Sequence, residues 1–179
     1  MSNHTKQRTT QFIMKALLDL LAEKPFSAIT VNDICDKSMI HRSTFYRYYD
    51  DKYDLFNQVI SIIGHTLYER ALSRQTNRTL FEELIEYVDE NRALFLNVTV
   101  NNENADLYNE LIKMSSQILF ENAQTMDDAL SRKIHQSPYP KILCDFYSSG
   151  LIEVLKQWIN KNYDYSKEKL VEILNELLS

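Results

Sequence analysis

An all-helical fold is what this sequence predicts, and three observations carry that expectation. Glycine occurs twice and proline three times in 179 residues, too seldom for sheets, glycine-rich phosphate loops or long flexible linkers. Apolar residues recur at helical spacing along most of the chain. Short polar stretches mark the interruptions.

The first helix is expected over residues 6–24. Phe12, Ile13, Ala16, Leu17, Leu20 and Leu21 form one stripe, with Gln11, Lys15, Asp19 and Glu23 opposite. Pro25 ends it, because proline disfavours the α conformation in the residue before it. Phe26 and Ile29 are expected to pack back onto the stripe. Thr30 then reads as an N-cap, with Asp33 placing a carboxylate at the helix's positive end. Val31, Ile34 and Cys35 face inward along a short helix ending near Lys37.

A second short helix is expected over 41–48, after a tight turn at Ser38-Met39-Ile40. Ile34, Cys35, Ile40 and Phe45 would share a small core. Asp50-Asp51 introduce a long helix over 52–73, with Leu55, Val59, Ile62, Ile63, Thr66 and Leu67 as its stripe. Further helices are expected near 79–90, 92–98, 105–123, 139–160 and 166–178. Asn101 to Asn104 and Ser131 to Pro138 read as loops.

Charge and composition exclude several functions. The net charge is −5, which rules out a diffuse polycation. Residues 1–52 nevertheless carry eight Lys/Arg against six Asp/Glu, whereas 53–179 carry twelve against nineteen. The mildly basic head is thus the part suited to a polyanion. Cys35 and Cys144 read as buried thiols, too few and too far apart for a disulfide framework or zinc site. The four histidines show no ligand spacing, so no metal and no cofactor are expected. The polar start of the chain and the lack of a long apolar run suggest a reduced, cytoplasmic protein with no membrane partner.

Catalysis finds no support either. No Glu precedes a His at the Glu-x-x-His spacing of bundle metal sites. Adjacent carboxylates at Glu82-Glu83 and Asp127-Asp128 diverge in direction on a helix and read as solvated surface. The expectation is therefore not an enzyme.

The segment 30–52 is the informative one. Its second short helix turns Arg42, Ser43, Tyr46 and Arg47 outward, with His41 at its start. Arginine and hydroxyl side chains suit base edges in a major groove; tyrosine, lysine and helix-start N–H groups suit phosphates. Without further information, a surface hairpin remains the competing reading.

The segment closely resembles the N-terminal helix-turn-helix of TetR-family transcriptional regulators. Thr30, Val31, Ile34, Thr44, Phe45, Tyr46, Tyr48, Asp51, Lys52 and Leu55 match the family pattern. Ser38-Met39-Ile40 departs from it by lacking the turn glycine, Tyr49 stands where Phe is common, and Cys35 where Ala is. The resemblance implies a three-helix DNA-binding head over 1–52 and a helical-bundle dimerisation and effector body over 53–179. It implies that Thr30 caps its helix beside phosphate and that Arg42, Ser43 and Thr44 read bases. Tyr46, Arg47, Tyr48 and Lys52 would lie toward the backbone.

For the body, the family implies a homodimer through the helices at 139–160 and 166–178, and control by a small-molecule or protein effector. Repression is the expected mode. Phe146 to Gly150, with Trp158 beyond, resembles a subgroup related to the activator of a dihydroxyacetone kinase operon, which keeps activation, or a protein partner, as the alternative. An interaction module that has lost DNA binding is a further alternative, disfavoured by the cationic outer face. Gly150 is expected where another helix approaches closely. Tyr87, Phe95, Tyr108, Met114, Phe120, Met126 and Tyr147 are read first as core, and otherwise as the lining of an effector pocket.

Overall fold

The computed structural model describes residues 3–72, 80–100 and 105–178, and every regular element among them is helical. The order is α1 (Asn3–Glu23), a 3-10 turn (Phe26–Ala28), α2 (Val31–Ser38), α3 (Arg42–Phe45) and α4 (Lys52–Leu72). Then come α5 (Leu80–Glu90), α6 (Arg92–Thr99), α7 (Ala105–Ala123), α8 (Ala129–Gln136), α9 (Pro140–Ile159) and α10 (Lys167–Leu178). No described helix is long and apolar enough to cross a membrane. No group of three or more His, Cys, Asp or Glu among the described residues could hold a metal ion.

Three apolar clusters hold the helices together. The first joins the stripe of α1 to Phe26, Ile29, Ile34, Cys35, Phe45 and Tyr49, and continues through Leu55, Phe56 and Val59 of α4. It reaches Leu94 and Val98 of α6, so the core runs across residue 52 without a break. The second lies between the C-terminal half of α4 and α7, α8 and α9, around Tyr68, Ile118, Leu130, Ile134 and Cys144. The third sets α5 and α9 against α10, around Ile85, Val88, Leu155, Trp158, Leu170 and Leu174. Phe26 and Ile29 are fully buried in the first cluster, as their spacing from the α1 stripe suggests.

Three local expectations need correction. Ser131 to Pro138 is mostly the helix α8, not a loop. Asp128 caps it by accepting from the Ser131 N–H at 2.9 Å, and Leu130 and Ile134, one turn apart, are buried. The polar and proline residues marked only its end. The second short helix spans Arg42–Phe45, half the expected length, and residues 46–48 form a turn. Arg47 N–H to Thr44 O and Tyr48 N–H to Phe45 O tighten to the third residue back, whereas Tyr49 N–H returns to Phe45 O and its ring packs against Phe45 in the core. Gly150 has no atom of another described helix within 4 Å of where a Cβ would sit. Gly64 holds the close approach instead: its Cβ would lie 2.6 Å from Ile118 Cδ1. The stretch Asn101 to Asn104 and the expected helix end at Ser73 lie outside the described residues.

One polar contact ties the head to the body. The buried Asn97 of α6 donates from Nδ2 to the Leu21 carbonyl at 2.8 Å. That carbonyl is in the last turn of α1, where the helix offers it no N–H. Replacing Asn97 with the similarly sized Leu would leave it unpaired in a dry interface. Asn97→Leu is expected to lower stability by about 1–3 kcal/mol, measured by urea unfolding.

Candidate nucleic-acid interface and body cavity

The frame of the head is set first by how α2 begins and ends. Thr30 and Asp33 form a reciprocal capping box. The Thr30 hydroxyl accepts from the Asp33 N–H at 3.1 Å, and Asp33 Oδ2 accepts from the Thr30 N–H at 2.7 Å. The backbone and hydroxyl hydrogen bonds from Thr30, with Lys24 3.0 Å away, hold the Asp33 carboxyl at about 2. Lys37 pairs with Glu23 at 2.8 Å, a second tie between α2 and α1.

At its far end α2 closes without glycine. Met39 adopts φ 54° and ψ 45°, the left-handed conformation the missing glycine would have supplied. Its N–H bonds Asp36 O, while the Ile40 N–H reaches back to Cys35 O at 3.0 Å, which caps two free carbonyls. Ile40 packs on the first apolar cluster, but the Met39 side chain is 91% exposed, so no packing repays its backbone. This turn aims α3.

Helix α3 presents Arg42 and Ser43 outward, followed by Tyr46 and Arg47 in the turn, with His41 exposed before it. Phe45 faces the opposite way and is fully buried. The Arg42 guanidinium donates from Nη2 to the Tyr46 hydroxyl at 3.1 Å and lies 5.7 Å from the centre of that ring. Tyr46 also sets its edge against Phe45, fixing the phenol at the surface. Thr44 is half-buried beside this face.

Three other residues singled out in the sequence stand apart from it. Thr30 is exposed, but its hydroxyl is engaged in the capping box. Tyr48 is half-buried, its hydroxyl enclosed without a hydrogen-bond partner. Lys52, the first residue of α4, turns inward. Its ammonium donates to the carbonyls of Phe26 at 3.0 Å, Ser27 at 3.4 Å and Ile29 at 2.7 Å, and lies 4.6 Å from the centre of the Phe26 ring. Burial lowers its pKa, opposed by Asp33 and Asp51. Asp51 caps α4 by accepting from the N–H groups of Tyr53 and Asp54. Of the adjacent carboxylates read as surface, Glu83 is buried, whereas Asp127 and Asp128 are exposed.

A partly open cavity of about 150 Å³ lies between α4, α5, α6, α7, α8 and α9. Ile63, Leu67, Leu94, Phe95, Val98 and Ile118 are among its apolar lining, and Tyr68, Tyr87, Tyr147, Ser115 and Ser148 contribute hydroxyl-bearing side chains. Of the seven side chains weighed in the sequence, Tyr87, Phe95 and Tyr147 line it. Tyr108 instead donates to Glu153 Oε2 at 2.6 Å, and Phe120 and Met126 pack on the second cluster. Met114 is half-buried outside the lining. Gly64, Ser115 and Ser148 were not read as pocket residues. Small side chains at helical spacing carry no signal that separates a void from a close contact.

The family described as "Bacterial regulatory proteins, tetR family" matches residues 13–59, and the family described as "Transcriptional regulator C-terminal region" matches 75–179. The uncharacterized HTH-type transcriptional regulator YxbF of Bacillus subtilis is 46% identical over 54 residues, 30% of this chain and 14% of that protein's length. The solved structure of a putative TetR-family regulator from Syntrophomonas wolfei is 18% identical with a TM-score of 0.68, covering 96% of this chain and 93% of that one. A TetR regulator from Streptococcus agalactiae is 19% identical with a TM-score of 0.64, covering 99% and 97%. The dihydroxyacetone kinase operon activator DhaS is 21% identical with a TM-score of 0.59, covering 95% and 93%. At these identities the structures share the fold.

Two substitutions test this frame. Met39→Gly is expected to stabilise the protein by up to about 1 kcal/mol, relief of the left-handed backbone outweighing the freer unfolded chain. Lys52→Met is expected to destabilise it by about 2 kcal/mol, leaving three carbonyls without the ammonium. Thermal and urea unfolding of both variants give the two signs.

Proposed function

Because the chain belongs to the TetR family of transcriptional regulators, we propose that it binds duplex DNA through the outer face of α3 as a homodimer and represses transcription under the control of an effector held in the body. The observation that carries this reading is the exposed group Arg42, Ser43, Tyr46 and Arg47, held on a buried Phe45. Arg42, Ser43 and Thr44 face base edges in this reading, and Tyr46 and Arg47 the phosphates. Thr30, Tyr48 and Lys52 then act through the frame that presents them. Thr30 starts α2, and Lys52 clamps the carbonyls of the segment between α1 and α2.

The homodimer reading draws on α9 and α10. Ile142 is 64% exposed and Phe146 71%, and Gly150 follows on the same stripe with open space above it. Leu177 of α10 is 67% exposed. A second copy laid across this face covers those side chains and sets two reading heads about one DNA turn (~34–36 Å) apart. Effector control draws on α4 and α6, which line the cavity and also pack in the head's core. A ligand that prefers one of two head arrangements shifts DNA affinity by its differential binding.

Activation through a protein partner is the second reading. It is favoured by the exposed Phe146 within the Phe146 to Gly150 segment and by the name of DhaS as an operon activator. The same stripe would then seat the partner.

Fluorescence anisotropy against the chain's own upstream DNA, or sites drawn from a random pool, tests the DNA reading. Specific binding is expected to fall steeply with salt. Arg47→Ala is expected to weaken binding to all sequences and to reduce the salt slope by about 0.9. Arg42→Ala is expected to cut the preference over scrambled DNA by about tenfold or more. Equal, sequence-blind binding by wild type and both variants, persisting through the random-pool selection, overturns it.

A further inference from the structure

Protein interiors pack nearly as densely as organic crystals, and voids larger than a water molecule are few. A cavity of about 150 Å³ shared by six helices is an exception, and an empty one costs stability in proportion to its volume. Its wall is not slack everywhere, since at Gly64 it closes to the point where a Cβ would strike Ile118. Among the described residues the lining contains no Asp, Glu, Lys, Arg or His. A charged guest would therefore lose its hydration with no opposite charge to meet it. The wall opposes charge on its own groups too, for burial pushes the Tyr68 and Tyr87 phenols up. What it offers are apolar side chains and a few hydroxyls, on Ser115, Ser148 and the tyrosines. For scale, an apolar cavity of roughly this volume engineered into another protein stays dry and takes up benzene.

We propose, resting on the effector-controlled reading above, that this cavity takes an uncharged, mainly apolar molecule about the size of one aromatic ring, bearing at most a small hydrogen-bonding group. The hydroxyls on the wall serve that group, and the hydrocarbon fills the remainder. Such a guest fills a space that six helices otherwise leave open, and its effect passes to the head along elements already joined to it. Leu94, Phe95 and Val98 of α6 line the cavity, while Asn97 of the same helix holds the end of α1.

Three probes sharing one ring test the class on the full chain by calorimetry and thermal unfolding: benzyl alcohol, benzoate and benzylammonium. Benzyl alcohol is expected to bind saturably at one site per chain and raise the unfolding temperature, with the two ions at least tenfold weaker. Ser115→Leu and Ser148→Leu, which add volume to the wall, are expected to weaken benzyl alcohol at least tenfold while keeping the helical circular dichroism of the wild type. Should neither variant fold, nuclear Overhauser effects from the ring protons to the methyls of Ile63, Ile118 and Leu119 locate the guest in the wild type. Benzyl alcohol failing to bind, the ions binding as well, or contacts to methyls elsewhere would each overturn the proposal. DNA affinity is followed in parallel to separate the two readings. Cavity binding by a protein with no DNA affinity keeps the ligand class and removes the regulator. DNA binding by a protein that takes no neutral probe does the reverse.

Discussion

Helices of eight and four residues do not hold their shape alone in water, because helix nucleation costs more than so few hydrogen bonds return. The outer face of the head is carried by two such helices, so it exists only by virtue of the apolar floor under it. Ile34, Cys35, Phe45 and Tyr49 supply the underside, and the stripe of α1 with Leu55 and Phe56 of α4 supplies the floor. The position of Arg42, Tyr46 and Arg47 is a consequence of that burial. Tyr49 illustrates the strength of the constraint. It is drawn into the core although its hydroxyl finds no partner there, and burial pushes its pKa up to about 12.

The floor leaves a second requirement, for backbone groups at helix ends must still be paired. The ends of α2 are paired by neighbours, but the end of α1 and the segment after it are paired by residues distant in sequence. Lys52 serves the carbonyls of Phe26, Ser27 and Ile29, and Asn97 serves Leu21. Both donors sit on helices that also pack in the first cluster or on its edge. Head and body are therefore joined by apolar contact and by directional bonds at once.

The two glycines show how differently one residue type serves the fold. Gly64 lets α4 meet Ile118 of α7 where a side chain would collide, and it lies on the cavity wall. Gly150 meets no other helix among the described residues. It lies on the same exposed stripe of α9 as Ile142 and Phe146. Where glycine is customary, at the end of α2, Met39 bears the left-handed backbone instead.

The sequence by itself determined the features governed by neighbouring residues. Periodicity located α1, α4 to α7, α9 and α10, because a stripe of apolar side chains is a local record of which face is buried. The Thr30–Asp33 cap, the inward Phe45 and the outward Arg42 were legible from neighbouring residues too, whereas the left-handed backbone at Met39 came with the structure. Tertiary structure alone decided what depends on distant partners. Lys52 looked like a surface cation at a helix start, but three carbonyls more than twenty residues back claim its ammonium. Expected α3 is half as long as its pattern suggested, because residues 46–48 close as a turn. The polar composition of Ser131 to Pro138 hid α8, whose two apolar residues acquire meaning only against α7 and α9. The cavity was illegible for a further reason: it is a volume left between six helices, and no residue records a space that it merely borders.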